Sequence, residues 1–165
     1  MPSMYAVSVG TFSRMLTNLL AMLEKAEAYA SERKFKPDVL VNQRLAPDML
    51  PLSFQIQNAT DHIKGAAARL AGRDVPSWPD DEKSFADLKV RVQKTIDYLA
   101  TFTPADIDGT ENKEIVLKRN DQDVKMRGED YVLGRTQMNV WFHITMAYAI
   151  LRHNGVPLGK ADFTR

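Results

Sequence analysis

Apolar residues recur at spacings of three and four through most of this chain, and that period constrains its fold more than any other feature. In the first such stretch, from about Ser8 to Ala30, Phe12, Met15, Leu16, Leu19, Leu23 and Ala26 fall on one face. Pro51 opens a second, at a position where a missing N–H costs nothing. There Leu52, Ile56, Ala59, Ile63, Ala66 and Leu70 form a narrow seam that stops at Gly72. Ser84 and Asp87 have the spacing of a capping box ahead of a third stretch, carrying Phe85, Leu88, Val92, Ile96 and Leu99. A fourth runs from about Glu129 to His153 and is ended by Gly155 and then Pro157. Each stripe must be buried against another, so the expected fold is all-α, a four-helix bundle forming one domain over residues 1–165.

The interruptions are equally legible. Pro37, Pro47 and Pro51 mark a long crossover between the first two helices, and Pro76 and Pro79 mark a loop after the second. Thr103-Pro104 predicts a break with one further helical turn. From Glu114 to Arg127 the period changes from helical to alternating around Asn120-Asp121-Gln122, which predicts a small inserted β-hairpin. Between Val140 and Leu151 the last helix is apolar almost all round, through Trp141, Phe142, Ile144, Met146, Ala147, Ala149 and Ile150. Such a helix is expected to be covered on several sides, centrally or at the interface of a homodimer.

Charge and composition exclude several function classes. Lys and Arg number 22 against 21 Asp and Glu, a net charge of +1 that makes no electrostatic case for nucleic acid or an anionic membrane. With no cysteine, a thiolate zinc site, an iron–sulfur cluster and a cysteine nucleophile are ruled out. No phosphate-cradling glycine loop, HExxH pair or serine elbow occurs. No uninterrupted apolar run of about 18 residues and no leader pattern is read, so a cytoplasmic protein is expected.

Polar residues in apolar positions remain. His62 lies at the edge of the second seam, with Asn58 one turn earlier and Gln55 before it; His143 lies in the most apolar stretch, with Asn139 one turn before it and Thr136 further back. Bundles build metal and ligand sites from side chains on facing helices. A buried neutral imidazole needs partners for both ring nitrogens, and a metal can take one while a carbonyl or carboxylate takes the other. The plainer alternative is that each histidine hydrogen-bonds a neighbouring helix. If the two share an ion, their ring nitrogens must approach to about 3–4 Å. His153, in the last helical turn, is expected to cap free carbonyls. Asp80-Asp81-Glu82 suit the approach to a helix N-terminus, the hairpin cations Lys118, Arg119, Lys125 and Arg127 suit a solvated face, and Tyr148 is a candidate to line the cavity of His143.

Two stretches, PLSFQIQNATDHIKGAAARLAG (Pro51 to Gly72) and FHITMAYAILRHNGVPLGKADF (Phe142 to Phe163), together with the link Arg44 to Pro51, resemble the DUF1993 family. That family, of bacterial proteins without an established activity, is similar to the DinB/YfiT-like superfamily of metal-dependent four-helix bundles. The resemblance implies a divalent metal held by one histidine on the second helix and an HxxxH pair on the fourth. His62 matches the first ligand and His143 the second histidine of the pair, while Asn139 replaces the other, giving NxxxH. Asparagine offers a neutral oxygen, a weaker ligand for zinc or nickel than imidazole. The resemblance therefore implies either a metal site (zinc, nickel or manganese) with water at open positions, or a relic that binds water or a small-molecule ligand. In the first case it implies a transferase or hydrolase dependent on a small-molecule thiol, since the chain has none of its own.

Overall fold

The second apolar seam becomes a continuous helix because its interior holds alanine, leucine, isoleucine and one glycine but no proline. In the computed structural model, which describes residues 2–165 apart from the side chain of Arg119, this helix (α2) spans Leu52–Ala71. Gly72 ends it at φ 70°, the left-handed conformation that lets its N–H return to the last turn. Leu52, Ile56, Ala59, Ile63 and Ala66 are all fully buried, each large side chain worth about 1.5–3 kcal/mol of burial.

The other long helices follow the same logic. A π-helical turn at Ala6–Gly10 leads directly into α1 (Thr11–Glu32). The Ala6–Glu32 span is long and apolar enough to cross a bilayer, a length that the face-by-face reading missed. Its apolar face, Phe12, Leu16, Leu19, Met22 and Leu23, is core in this fold. Helix α3 (Phe85–Leu99) opens on the expected capping box: Ser84 Oγ accepts from Asp87 N–H, and Asp87 accepts from Ser84 N–H. Asp38, in a short turn over Pro37–Leu40, accepts from Phe85 N–H at 2.7 Å and so helps fix the crossover to the start of α3. A single turn, α4, follows at Pro104–Ile107.

Strands β1 (Glu114–Arg119) and β2 (Gln122–Arg127) pair antiparallel with Arg119 opposite Gln122. Asn120 and Asp121 alone make the turn, at φ 49° and 59°, the paired left-handed conformation that suits a two-residue hairpin. The hairpin base is tied to α2: Lys113 Nζ donates to the Leu70 carbonyl at 2.7 Å, satisfying one of the free carbonyls at that helix end.

The last helical region divides in two. Asp130–Thr136 is π-helical, with Gln137 N–H reaching back to the Val132 carbonyl, and α5 (Gln137–His153) continues it. A final turn, α6 (Lys160–Phe163), packs on α1. Among the long helices, α1 meets α3 and α5, and α2 meets α3 and α5. The chain is mostly helical, with one two-stranded sheet.

Trp141 and Phe142 are each 53% exposed, so one flank of α5 is uncovered within a single chain. Two expectations need correction. Asn154 Nδ2, not the His153 ring, donates to the Ile150 carbonyl at 2.8 Å; the side chain directly after the helix has the shorter reach. Tyr148 packs edge-on against Phe163, ring centroids 6.2 Å apart, and does not line the cavity of His143.

Candidate functional site

Helices α2 and α5 make an extensive contact, and it brings the two internal histidines together. The rings of His62 and His143 lie 6.0 Å apart, centroid to centroid, with planes 19° from parallel. His143 is packed edge-on by Phe54 and Phe142. Its Nδ1 lies 2.8 Å from Gln55 Oε1, while Gln55 Nε2 donates to the Leu50 carbonyl at 2.9 Å. Because the amide's N–H is committed to Leu50, its oxygen faces His143 as an acceptor. The proton of His143 is therefore on Nδ1, and Nε2 carries the lone pair.

His62 is differently placed. Among the described residues neither of its ring nitrogens has a hydrogen-bond partner. Its pKa is pushed down to about 4, chiefly by burial, then by His143 and by the positive charge of Arg135, with Asp61 opposing. Burial likewise lowers the pKa of His143. Both imidazoles are thus neutral near pH 7, the state a metal requires.

Asn139, one turn before His143, donates from Nδ2 to the Arg135 carbonyl at 2.8 Å, which leaves Oδ1 without a partner among the described residues. Thr136, fully buried on the same strip, has a hydroxyl with no partner among them. Two imidazoles sharing one ion at about 2.1 Å place their centroids roughly 5–6 Å apart, close to the 6.0 Å here, but with planes only 19° from parallel the rings must turn before their in-plane lone pairs meet at one point. Among the described residues no group of three or more His, Asp or Glu converges. An ion here would have two imidazoles, at most an amide oxygen, and open positions.

Beside His62 opens a cleft of about 260 Å³ lined by Asn58, Asp61, Arg69, Leu117, Lys118, Tyr131 and Arg135 as well as His62 itself. The hairpin thus lies against the histidine region, with Leu117 and Lys118 of β1 in the wall. The polar line foreseen along α2 is present, with Gln55 turned to His143 and Asn58 to the cleft. Asn139 and His143 are not in the cleft wall.

Sequence reading missed a second polar centre. Arg91, only 3% exposed, reaches from α3 to Asp61, Asp80 and Glu82 at 2.7–2.9 Å, to the Pro79 carbonyl at 2.9 Å and to Thr60 Oγ1 at 2.8 Å. Asp80 and Glu82, expected to favour a helix N-terminus, instead anchor their loop to this guanidinium. The signal available was an arginine one residue before Val92 of the apolar face, where a charge needs partners.

Paired, neutral histidines between α2 and α5, with a hairpin set beside them, mark this mostly helical chain. The profile of the family described as a domain of unknown function, DUF1993, matches residues 4–164, and the chain belongs to that family. The crystal structure of a DinB family member protein from Shewanella denitrificans superposes with a TM-score of 0.89 at 39% identity, covering 98% of this chain and 91% of that one. No protein of curated function matches the chain.

Proposed function

We propose that this chain is a DinB-type four-helix bundle whose working site is a divalent ion held between α2 and α5 by Nε2 of His143 and a ring nitrogen of His62, with Asn139 Oδ1 beside them. The observation that carries the reading is the orientation of His143: a carbonyl oxygen from Gln55 holds its Nδ1–H and leaves Nε2 free, the usual arrangement behind a metal-ligating imidazole. The family neighbour supports the fold half of the reading.

Bound there, a divalent ion supplies Lewis acidity to an oxygen or thiol of a small-molecule substrate. The residues of the chain supply the rest. Gln55 fixes the tautomer, Phe54 and Phe142 shield His143 from water, and burial keeps His62 available at neutral pH. A transferase or hydrolase using a small-molecule thiol is consistent with a chain that has no cysteine.

One observation favours a second reading, a non-catalytic ligand-binding dimer. Arg135 and Arg69 act on His62 in the direction that opposes further positive charge. Metal analysis by plasma mass spectrometry on untagged protein separates the two. About one ion per chain, lost in both His62→Ala and His143→Ala, is expected of the first reading. No ion after incubation with zinc, nickel or manganese overturns it.

A further inference from the structure

The cleft beside His62 has a charge pattern that a metal site does not need. Three of its wall residues are cations, Arg69, Lys118 and Arg135, and only one is a carboxylate, Asp61. That carboxylate is already engaged on the α3 side, where Oδ1 meets Lys64 and, at 2.8 Å, Arg91. Among the described residues, neither Arg135 nor Lys118 has a carboxylate within ion-pairing distance, and Arg69 has none either. Arg69 and Arg135 are half-buried and Lys118, on the hairpin, is exposed; cations gathered from three separate elements without counter-charges would be stabilised by an anion from solution.

The position of Arg69 is itself built. Its guanidinium lies back along α2 over Gly65, where a Cβ would come within 2.5 Å of Nη1. Nη1 donates to the Tyr131 hydroxyl at 3.0 Å, and the guanidinium carbon lies 5.9 Å from that ring's centre. A glycine in the middle of a helix is unfavourable relative to alanine, and here the vacant space is taken by the arginine head. Tyr131 and Arg135 both come from the π-helical segment Asp130–Thr136, a departure from the α-helix that is frequent at functional sites.

We propose that this cleft binds an anionic small molecule, with Arg69 and Arg135 clasping a carboxylate or phosphoryl group, Lys118 flanking it from the hairpin, and Asn58 and His62 facing the remainder of the ligand. Planar guanidinium forks match both head groups, and about 260 Å³ admits a metabolite but not a polymer. The site does not depend on a metal at His62 and His143, and its test is made without one.

Isothermal titration calorimetry on chelator-treated, untagged protein, with inorganic phosphate and with succinate as separate probes, reads the site directly. Saturable binding of one probe per chain is expected. Arg135→Gln and Lys118→Gln should each weaken it about tenfold, and Lys125→Gln, on the same hairpin but outside the cleft, should not change it. Gly65→Ala should weaken it as well by displacing Arg69, and circular dichroism melts confirm that each variant is folded. Phosphate alone, succinate alone or both saturating supports the site and names its head group. No saturation by either probe, or equal binding in all the folded variants, overturns it.

Discussion

Gln55 on α2 and His143 on α5 lie 88 residues apart in the chain, yet Oε1 of one and Nδ1 of the other are 2.8 Å apart inside the protein. That bond decides which imidazole nitrogen carries the proton. It also joins two helices that meet over an extensive contact. Gln55→Leu removes the only acceptor for that N–H among the described residues and leaves it buried and unpaired, at a cost of about 1–3 kcal/mol in chemical denaturation. If the site holds metal, the same variant should bind zinc some 10–100-fold more weakly, since the ring is free to change tautomer. Gln55→Glu keeps an acceptor and should retain most of the affinity; equal losses in both variants would refute an orienting role.

The low pKa of His62 makes the protein acid-sensitive over a defined range. The folded value is about 4 and the ordinary one 6.5, so the unfolded chain binds more protons between those limits. Stability is therefore unaffected by this group above about pH 6.5 and falls as the pH drops towards 4. The full shift corresponds to about 3 kcal/mol, and partial exposure of the ring reduces this to about 2 kcal/mol. Urea denaturation of chelator-treated protein from pH 7 to pH 4 should show that loss, and His62→Gln should flatten it. An unchanged slope in the variant would assign the acid sensitivity elsewhere.

Arg91 supports a different prediction. With its head group buried among Glu82, Asp61 and Asp80, removal strands Glu82, itself 9% exposed at the side chain, without its strongest partner. The same guanidinium, with help from Gln57, holds the Glu82 carboxyl below its ordinary range against the effect of burial. Arg91→Met should cost about 2–3 kcal/mol in thermal or chemical denaturation, less than a fully enclosed pair because Asp61 and Asp80 retain contact with water. Hydrogen exchange should locate the loosening in residues 73–84, and a variant as stable as the parent would show the network to be incidental.

Legibility in the sequence follows the range of the interaction. The faces of α1, α2 and α3, the Ser84–Asp87 cap and a hairpin turn around Asn120-Asp121-Gln122 are local patterns, and each reappears in the structure, the turn one residue shorter because Gln122 already pairs in β2. The stripe along α2 announced Gln55, Asn58 and His62 as one polar edge. That His143 faces them is a property of how α2 and α5 pack, and the family resemblance, not the spacing, pointed to it. The Arg91 network and the basic cleft were hidden because Lys118, Arg69 and Arg135 come from a strand, an α-helix and a π-helical turn. Such a turn also shifts the phase of the apolar period, so a reading at 3.6 residues per turn carries Asp130–Thr136 into α5 unbroken.

The uncovered flank of α5 yields the last prediction. Met138, Trp141 and Phe142 are 67%, 53% and 53% exposed, and these neighbouring large side chains make an apolar patch at odds with an otherwise well-packed helix. A second copy of the chain is the proposed cover, because a helix offering the same stripe on both partners makes a self-complementary two-fold contact. Size-exclusion chromatography with light scattering should give twice the 18.6 kDa chain mass. Trp141→Glu should return the protein to a monomer without unfolding it, since that side chain is already half in water and its loss removes little core. Phe142 also packs on His143, so dimer contact would stiffen one wall of the histidine pair. Metal or ligand affinity should then fall modestly in the monomeric variant. A parent protein that elutes as a monomer at high concentration would remove the dimer and that coupling together.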